Sequence, residues 1–402
     1  MDRWYRRILL ATGLALVLAA LPSAAQDKPV NGAIERIGSL RVVRLWGTPR
    51  QMGYAHGRLL AREIAEGFEV IGPRIAAAAP LRQAVAAPPE AMEELQGLYE
   101  GMADALEGAP TIKSIGRPLT LDDLVIRNAA DMLRAFGCSG FTVWGDRAGE
   151  AGVITARNFD FEIEAGDLLR QHCTIVRHPQ GGRAFASVAF PGYVGVFTGV
   201  SEEGVCAFMH DGTGGRISTP KAPSTPIALV LRDLLGSASA EDAHGRAENM
   251  LAAVLPTPFS YMVRIVAPRL PDKAAPPERV FRLDADGMSF NPPGEFTCIT
   301  TNHYLNNDLM PSPLAGDWSL TRYRRLAARL NRPIDGRAAW EALRSVTFNN
   351  GRDAATLQAL VVYPQQRRLD LALAAWNGKL VPATDRRPAT ITFDELFKRP
   401  RD

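Results

Sequence analysis

The chain has 402 residues, of which 46% are hydrophobic and 22% are charged, and 46 Lys and Arg against 43 Asp and Glu give it a formal net charge of +3. So small an excess gives no electrostatic reason to expect nucleic acid or an anionic surface as a partner. The length suits one extended α/β domain or two closely joined domains with a large core.

The first 25 residues have the pattern of a secretory signal peptide. Three arginines precede an apolar run at residues 8–20, and the small residues at 22–25 suit a cleavage site. The apolar run is too short to predict a membrane span, and no later stretch is apolar enough for one. We therefore predict a signal peptide over residues 1–25 and an exported protein, periplasmic or secreted, without stable membrane insertion.

Residues 26–137 are predicted to be mostly helical, after a mobile leader at 26–40 and a strand at Leu40–Leu45. Thr48-Pro49-Arg50-Gln51 has the form of a capping box with proline in the first turn. Apolar residues with helical period predict a helix from this point, a second at 88–107 and a third from Thr120 to Gly137. His56 lies inside the first helix, where a packed, hydrogen-bonded histidine is favoured over a catalytic one.

Strands dominate after residue 137, which predicts an α+β fold. The predicted strands, separated by glycine and proline turns, are 141–144, 152–161, 173–177, 184–190, 194–199, 205–210, 261–266, 280–283, 296–300, 357–363 and 368–375. Helices are predicted at 226–235, 240–254, 320–330 and 338–343. The strands between 152 and 210 form an antiparallel meander in this prediction.

A predicted hairpin brings Cys138, Arg157 and Asp160 to one edge of a sheet. Its strands, Phe141–Trp144 and Gly152–Ala156, flank a glycine-containing loop. From spacing alone, the simpler interpretation is a small buried cysteine beside a surface ion pair. The alternative is a reactive thiol held next to a guanidinium and a carboxylate.

Other kinds of site find little support in the sequence. The four cysteines are scattered, with no CxxC pair, and if Cys138 stays a free thiol at most one disulfide forms within the chain. The six histidines are dispersed and no HExxH motif occurs, so we predict no metal and no cofactor. GxSxG, GxGxxG and P-loop motifs are also absent.

Two separate segments resemble one known family. Gly137-Cys138 followed by Arg157-Asn158-x-Asp160 resembles the start of the mature catalytic chain in cysteine N-terminal-nucleophile (Ntn) hydrolases. The pattern is most similar to the isopenicillin-N acyltransferase-like family, which is related to penicillin V acylase and bile salt hydrolase. The run from Gly47 to Gly57 resembles the segment that precedes the nucleophile in that family, where Gly53 and Gly57 imply close helix packing.

The resemblance implies a four-layer αββα sandwich and a chain that cuts itself. Residues 26–137 would be a helical propeptide, kept as a non-covalent subunit, and 138–402 the catalytic segment. Cys138 would attack the Gly137 carbonyl, and its freed α-amine would then serve as the base for its thiol. Arg157 would lower the pKa of the thiol, and Asp160 would contact the amine.

Two further positions match the family pattern. Thr300-Thr301-Asn302-His303 resembles a segment whose asparagine donates to the tetrahedral intermediate. Ser319-Leu320-Thr321-Arg322-Tyr323 resembles a motif whose arginine supports the catalytic cluster. Taken alone, Asn302 is equally consistent with a loop cap and Arg322 with an exposed helix charge. The region of a second donor, residues 209–212, lacks the asparagine of the family, which leaves the roles of His210 and Asp211 open.

The function implied is cleavage of a small-molecule amide through an acyl-Cys138 thioester, followed by hydrolysis or acyl transfer. One alternative is a lipid amidase or phospholipase-B-like hydrolase, with an apolar pocket to which Phe190, Tyr193 and Phe197 contribute. A second alternative, from another class, is an exported binding protein that kept the fold and lost catalysis.

Overall fold

The computed structural model describes residues 28–132, 137–163, 172–213, 215–219, 222–269, 275–306 and 316–399. Asn31–Asp402 form one structural unit, and of the preceding unit only residues 28–30 are described. The predicted signal peptide therefore lies outside the described residues. Within the described ranges, no helix combines the length and the apolar character needed to cross a membrane.

Seven of the eight described α-helices begin within about three residues of a predicted helix start. In the described ranges they are α1 (Pro49–Ala77), α2 (Pro89–Ala105), α3 (Leu121–Asn128), α4 (Ile227–Ser237), α5 (Ala243–Ala252), α6 (Asp317–Arg329), α7 (Gly336–Arg344) and α8 (Phe393–Leu396). The capping box predicted before α1 is present: the Thr48 side chain accepts from the Gln51 amide, and the Gln51 side chain accepts from the Thr48 amide.

The strands form two large sheets. In chain order the strands are β1 (Gly32–Ile37), β2 (Leu40–Gly47), β3 (Thr111–Ile112), β4 (Arg117–Pro118), β5 (Gly137–Trp144), β6 (Val153–Glu162), β7 (Cys173–Pro179), β8 (Phe185–Ala189), β9 (Thr198–Ser201), β10 (Cys206–Asp211), β11 (Tyr261–Val266), β12 (Glu278–Asp284), β13 (Gly287–Asn291), β14 (Thr297–Thr300), β15 (Ala354–Tyr363), β16 (Arg368–Leu373), β17 (Ala375–Trp376), β18 (Leu380–Val381) and β19 (Ala389–Thr392). The nine-stranded sheet has the order β1-β2-β7-β8-β9-β10-β11-β12-β13, and the six-stranded sheet has the order β14-β5-β6-β15-β16-β19. The predicted meander is confirmed for β7 to β10, which pair antiparallel in chain order. It is wrong for its first strand, β6, which lies in the other sheet between β5 and β15.

Three apolar clusters show how the layers stack. One cluster joins the facing surfaces of the two sheets, through residues such as Val42 and Phe208 on one sheet and Leu360 and Leu371 on the other. A second cluster packs α1 to α5 on the outer face of the nine-stranded sheet, and a third packs α6 and α7 on the outer face of the six-stranded sheet. The predicted α+β class and the four layers, helix–sheet–sheet–helix, are therefore confirmed.

The segment 26–137 differs from its prediction in two places. Residues 32–37 are not a mobile leader but strand β1, paired antiparallel with β2. Strand β2 in turn pairs parallel with β7, so this segment shares the nine-stranded sheet with the rest of the chain. Its edge strand β1 has three exposed residues in a row, so it lacks the apolar alternation that marks a strand in the sequence.

Helix α3 ends at Asn128, nine residues before the predicted end at Gly137. The Asn128 side chain donates to Leu124 O, 2.9 Å away, and to Gly192 O, 3.0 Å away, so it ties the helix end to a distant loop. A 3₁₀ turn follows at Ala130–Met132, and residues 133–136 of the predicted helix lie outside the described ranges.

The predicted strand at 194–199 is wrong for its first four residues. There the backbone N–H of Val194 donates to the side chain of Asn128, and that of Val196 donates to Ala228 O. Because these amides are used by α3 and α4, the ladder starts only at Thr198. Strands β3, β4, β13 and β17 to β19 and helix α8 were not predicted either.

Helices α1 and α2 pack very closely, as the resemblance implied. A Cβ atom at Gly53 would lie 1.9 Å from Glu94 O, and one at Gly57 would lie 2.0 Å from Leu98 O. Only glycine permits this approach of one helix backbone to the other. Next to this contact Glu94 is fully buried and accepts from Arg177 of β7 and Arg232 of α4, so the helix pair is also joined to the sheet by charge.

Candidate active site

Strand pairing gathers the predicted site residues at one end of the six-stranded sheet. The hairpin of β5 and β6 places Cys138 opposite Phe159 and Gly140 opposite Arg157. Strand β14 pairs with the other side of β5, with Thr300 opposite Gly140. The start of β5, the end of β6 and the residues that follow β14 therefore meet.

The Cys138 thiol lies in a fully buried position next to Arg157. The Arg157 Nη2 atom donates to Cys138 Sγ at 3.1 Å and to Met209 O at 2.6 Å, and the thiol lies 3.6 Å from the same carbonyl oxygen. Both side chains point toward the nine-stranded sheet, where strand β10 supplies Met209. The carbonyl of Met209 was not predicted, since a backbone contact leaves no residue-specific signal in a sequence.

Burial dominates the electrostatics of the thiol. Burial raises the pKa of Cys138 to about 12, although the charge of Arg157 acts in the opposite direction. Burial also lowers the pKa of Arg157 to about 10, so the guanidinium stays charged at neutral pH. The Arg157 charge thus has the expected effect on the thiol, but burial outweighs it, and in this continuous chain the thiol is protonated at neutral pH.

Asp160 lies beside Gly137, its partner across the hairpin. Its Oδ1 atom accepts from Thr356 at 2.6 Å, whereas its buried Oδ2 atom accepts no hydrogen bond from the described residues and lies 3.8 Å from Arg322 Nη1. Burial raises the pKa of Asp160, although the charge of Arg322 opposes the shift. A Cβ atom at Gly137 would lie 3.3 Å from Asp160 Oδ2, so glycine lets the two strands approach here.

Asn302 and Arg322 hold the backbone of Cys138. The Asn302 Oδ1 atom accepts from Cys138 N at 2.9 Å and from Arg322 Nη2 at 2.7 Å. Arg322 Nη1 donates to Cys138 O and, at 2.9 Å, to Ser139 Oγ. All five predicted site residues are therefore brought together. The Cys138 amide is bonded to Asn302 rather than to Asp160.

No second donor emerges from residues 209–213. The His210 ring is buried and its Nδ1 atom lies 3.0 Å from Thr301 O, with a pKa well below the ordinary value because of burial. The Asp211 carbonyl accepts from Asn302 Nδ2 at 2.9 Å. The backbone N–H groups of Met209, Gly212 and Thr213 all donate to other carbonyls. This segment thus supports the Asn302 loop and the thiol rather than presenting a free donor.

A series of stacked aromatic rings begins at Phe159, which lies opposite Cys138 on the neighbouring strand. Phe159 stacks on Phe161 and on Phe197, with centroids 5.6 and 5.7 Å apart, and Phe197 stacks on Tyr193 at 4.9 Å. Phe190, expected to join the same apolar pocket, instead stacks on His172 at 4.4 Å. Phe161 and Phe197 are only partly buried, so this aromatic stack (Phe159, Phe161, Tyr193 and Phe197) reaches from the buried site toward solvent.

The described residues of the site form neither a disulfide nor a metal-binding group. All four cysteines lie in the described part of the chain, and each is buried with a free thiol. Among the described residues, no group of three His, Cys, Asp or Glu side chains is arranged to hold a metal ion. His56 is packed as predicted, with Nε2 accepting from Gly192 N at 2.9 Å.

No protein-family model matches the sequence. An uncharacterized protein of Archaeoglobus fulgidus is 26% identical over 213 residues, which are 46% of this chain and 35% of that protein. Protein dcd1A of Dictyostelium discoideum is 25% identical over 257 residues, which are 52% of this chain and 53% of that protein. The chain thus spans about a third and about half of the lengths of these two relatives.

Three solved structures are similar to part of this chain. A Caenorhabditis elegans ortholog of N-acylethanolamine-hydrolyzing acid amidase is 17% identical with a TM-score of 0.40, over 56% of this chain and 93% of that chain. A variant of conjugated bile acid hydrolase from Clostridium perfringens is 10% identical with a TM-score of 0.41, over 64% of this chain and 98% of that chain. Penicillin V acylase from Agrobacterium tumefaciens is 14% identical with a TM-score of 0.32, over 59% of this chain and 83% of that chain.

Proposed function

We propose that this chain is an exported, self-cleaving amidohydrolase or acyltransferase in which Cys138 is the nucleophile. The observation that carries the proposal is the convergence of four side chains on this cysteine. Motifs alone selected Arg157, Asp160, Asn302 and Arg322, two of them more than 160 positions away. Hydrogen bonds of 3.1 and 2.9 Å join Arg157 and Asn302 to Cys138, Arg322 donates to its carbonyl, and Asp160 lies beside Gly137.

Self-cleavage is the first reaction of the proposal. Cys138 Sγ attacks the carbonyl carbon of Gly137, a C–S bond forms, the C–N bond to Cys138 breaks, and the proton lost by the thiol ends on the departing nitrogen. Asp160 is suited to relay that proton, because burial raises its pKa and it lies opposite Gly137. Water then hydrolyses the thioester and releases two chains, residues 26–137 and 138–402.

Cleavage also creates the base for the second reaction. The new α-amine of Cys138, with a reference pKa of about 7.7–8.0, takes the thiol proton, and the thiolate attacks the carbonyl of a small-molecule amide. The amide C–N bond then breaks, and the α-ammonium group returns the proton to the leaving amine. The amide group of Asn302 donates to the oxyanion, a contribution typically worth about 10²–10³ in rate. Water or an amine then attacks the acyl-Cys138 thioester, which completes hydrolysis or acyl transfer. No step needs a metal or a cofactor.

The two chains are proposed to stay associated after cleavage. Strand β2 of the first segment pairs with β7 of the second, and buried Glu94 accepts hydrogen bonds of 2.6–2.9 Å from Arg177 and Arg232. Because these contacts are buried, separation would expose both apolar surface and unpaired charge. The cleaved propeptide would therefore remain as a non-covalent subunit.

The first test is intact mass measurement and N-terminal sequencing of the purified protein. We expect two fragments that meet at Gly137/Cys138 in the unaltered protein and one uncut chain in the Cys138→Ala variant. Cys173→Ala removes another buried thiol and is the matched control, which should be cut normally. A single uncut chain in all three proteins would rule out the self-cleaving nucleophile and favour the exported binding protein.

A lipid amide or ester is the second candidate substrate, favoured by the aromatic stack. Its rings begin at Phe159, directly opposite Cys138 on the neighbouring strand, and provide an apolar surface for an alkyl or aromatic acyl group. A series of 4-nitroanilides with acetyl, hexanoyl, decanoyl and phenylacetyl groups tests this. We expect kcat/KM to rise with the apolar area of the acyl group, whereas equal values would argue against an apolar acyl site.

A further inference from the structure

Ser319 is joined to the loop that carries Asn302 by three hydrogen bonds. Its Oγ atom accepts from Asn302 N at 2.8 Å, lies 2.8 Å from His303 Nδ1 and donates to Thr301 Oγ1 at 2.9 Å. A hydroxyl group has one donor and two acceptor positions. With the His303 proton on Nδ1, the three contacts use all of them.

Two side chains on one face of α6 form hydrogen bonds with Asn302. Ser319 and Arg322 are three residues apart in α6, so their side chains leave the helix on one side. Ser319 binds the backbone of Asn302, and Arg322 Nη2 binds its side-chain oxygen at 2.7 Å. Backbone and side chain of Asn302 are thus both held by α6, and Asn302 Nδ2 donates to Asp211 O at 2.9 Å, so the three contacts together fix the position of the Nδ2 group.

We propose that Ser319 is a positioning residue that sets the place of the Asn302 amide group for the developing oxyanion. This inference rests on the proposed function of Cys138 and Asn302. Without the hydroxyl group, Asn302 N would lose this acceptor at a position that is only 8% exposed, so the loop would have to move. His303 Nδ1 would lose its shorter contact and keep Thr301 Oγ1, 3.1 Å away. An oxyanion donor acts only if it is already in place, because a displaced donor does not follow the reacting oxygen.

Two reactions of Cys138 separate positioning from general structural support. With 4-nitrophenyl acetate, a bond forms between Sγ and the carbonyl carbon, an oxyanion develops, and 4-nitrophenolate leaves with the electron pair of the C–O bond. With iodoacetamide, Sγ displaces iodide at a saturated carbon and no oxyanion forms. Only the first reaction should depend on Asn302, so their ratio reports on the amide donor.

The experiment measures both rates in the cleaved protein for Ser319→Ala, Ser319→Thr and the control Thr321→Ala. Thr321 lies on the same helix, half-buried, and its side chain makes no hydrogen bond with the described residues. Removal of one oxyanion donor costs about 10²–10³ in rate, and Ser319→Ala should displace the donor rather than remove it. We therefore expect this variant to lower the acylation rate by about tenfold or more, while the alkylation rate stays within about twofold. Ser319→Thr keeps the hydroxyl group and should restore acylation, and Thr321→Ala should change neither rate.

Each other outcome counts against the inference. If Ser319→Ala slows both reactions equally, Ser319 only supports the fold, and urea denaturation of the same variant will show the loss of stability. If neither reaction slows, Ser319 does not position the donor. If Cys138 of the unaltered protein reacts with neither reagent, the proposed function itself fails and the inference falls with it.

Discussion

The charge of Arg157 should control the reactivity of the Cys138 thiol. Arg157→Met removes the charge and keeps an apolar side chain of similar length. With an effective dielectric constant of about 20, a full charge 3.1 Å from a thiolate stabilises it by about 5 kcal/mol, or nearly four pKa units. The guanidinium charge is spread over three nitrogens, so we expect the pKa of the thiol to rise by about two to four units in the variant.

The assay is the rate of iodoacetamide alkylation of Cys138 as a function of pH, read from the Cys138 peptide by mass spectrometry. Because the thiolate is the reacting species, a rise of two units slows alkylation by about 100-fold at any pH below both pKa values. Arg325→Met, at an exposed arginine of α6, is the matched control and should leave the profile unchanged. An unchanged profile in Arg157→Met would refute the electrostatic argument.

Three further predictions concern stability and its pH dependence. Gly53→Ala places a Cβ atom 1.9 Å from Glu94 O and should lower the free energy of unfolding by about 1–3 kcal/mol or more. Gly245→Ala in α5, where a Cβ atom would have no neighbour within 4 Å, should raise it by about 0.5–1 kcal/mol. Urea unfolding curves that shift alike in the two variants would contradict the role of close packing at Gly53. Glu94→Gln should cost about 3–5 kcal/mol at neutral pH, because it leaves Arg177 and Arg232 without their buried anion. Burial raises the pKa of Glu94, but the two arginines outweigh it and the net pKa is lowered. The stabilisation by the Glu94 charge is therefore present above the unfolded pKa of about 4.3 and is lost as pH falls through the lower folded pKa. A difference in the free energy of unfolding between the unaltered protein and the variant that persists in acid would contradict this pH dependence. Burial lowers the pKa of every histidine in the chain (His56, His172, His178, His210, His244 and His303). Protonation then favours the unfolded chain, so stability should fall as pH drops below about 6.5, by up to about 1.4 kcal/mol per pH unit for each histidine, and equal urea midpoints at pH 7.5 and 5.5 would show the prediction to be wrong.

Local patterns predicted most of the elements and missed those that depend on distant partners. The capping box before α1 and the apolar periodicity of α1 and α2 are short-range features, and α1 to α3 start within a few residues of the expected positions. Strand β1 was missed because its pairing with β2 at the sheet edge leaves three of its residues exposed. The end of α3 was missed because the Asn128 side chain turns away to bind Gly192, sixty-four positions further on.

The sequence by itself determined the grouping of Cys138, Arg157 and Asp160, because a hairpin of about twenty residues leaves its two ends few other arrangements. Only the tertiary structure decided that Asn302 and Arg322 reach the same cysteine. Their approach depends on β14 pairing with β5 and on α6 packing over that sheet, contacts between distant segments that no local spacing encodes. The tertiary structure also decided the protonation of the thiol. A guanidinium beside a cysteine predicts a low pKa for the thiol, but the stacking of two sheets over Cys138 removes water from the thiolate. This burial raises the pKa by more than the neighbouring charge of Arg157 lowers it.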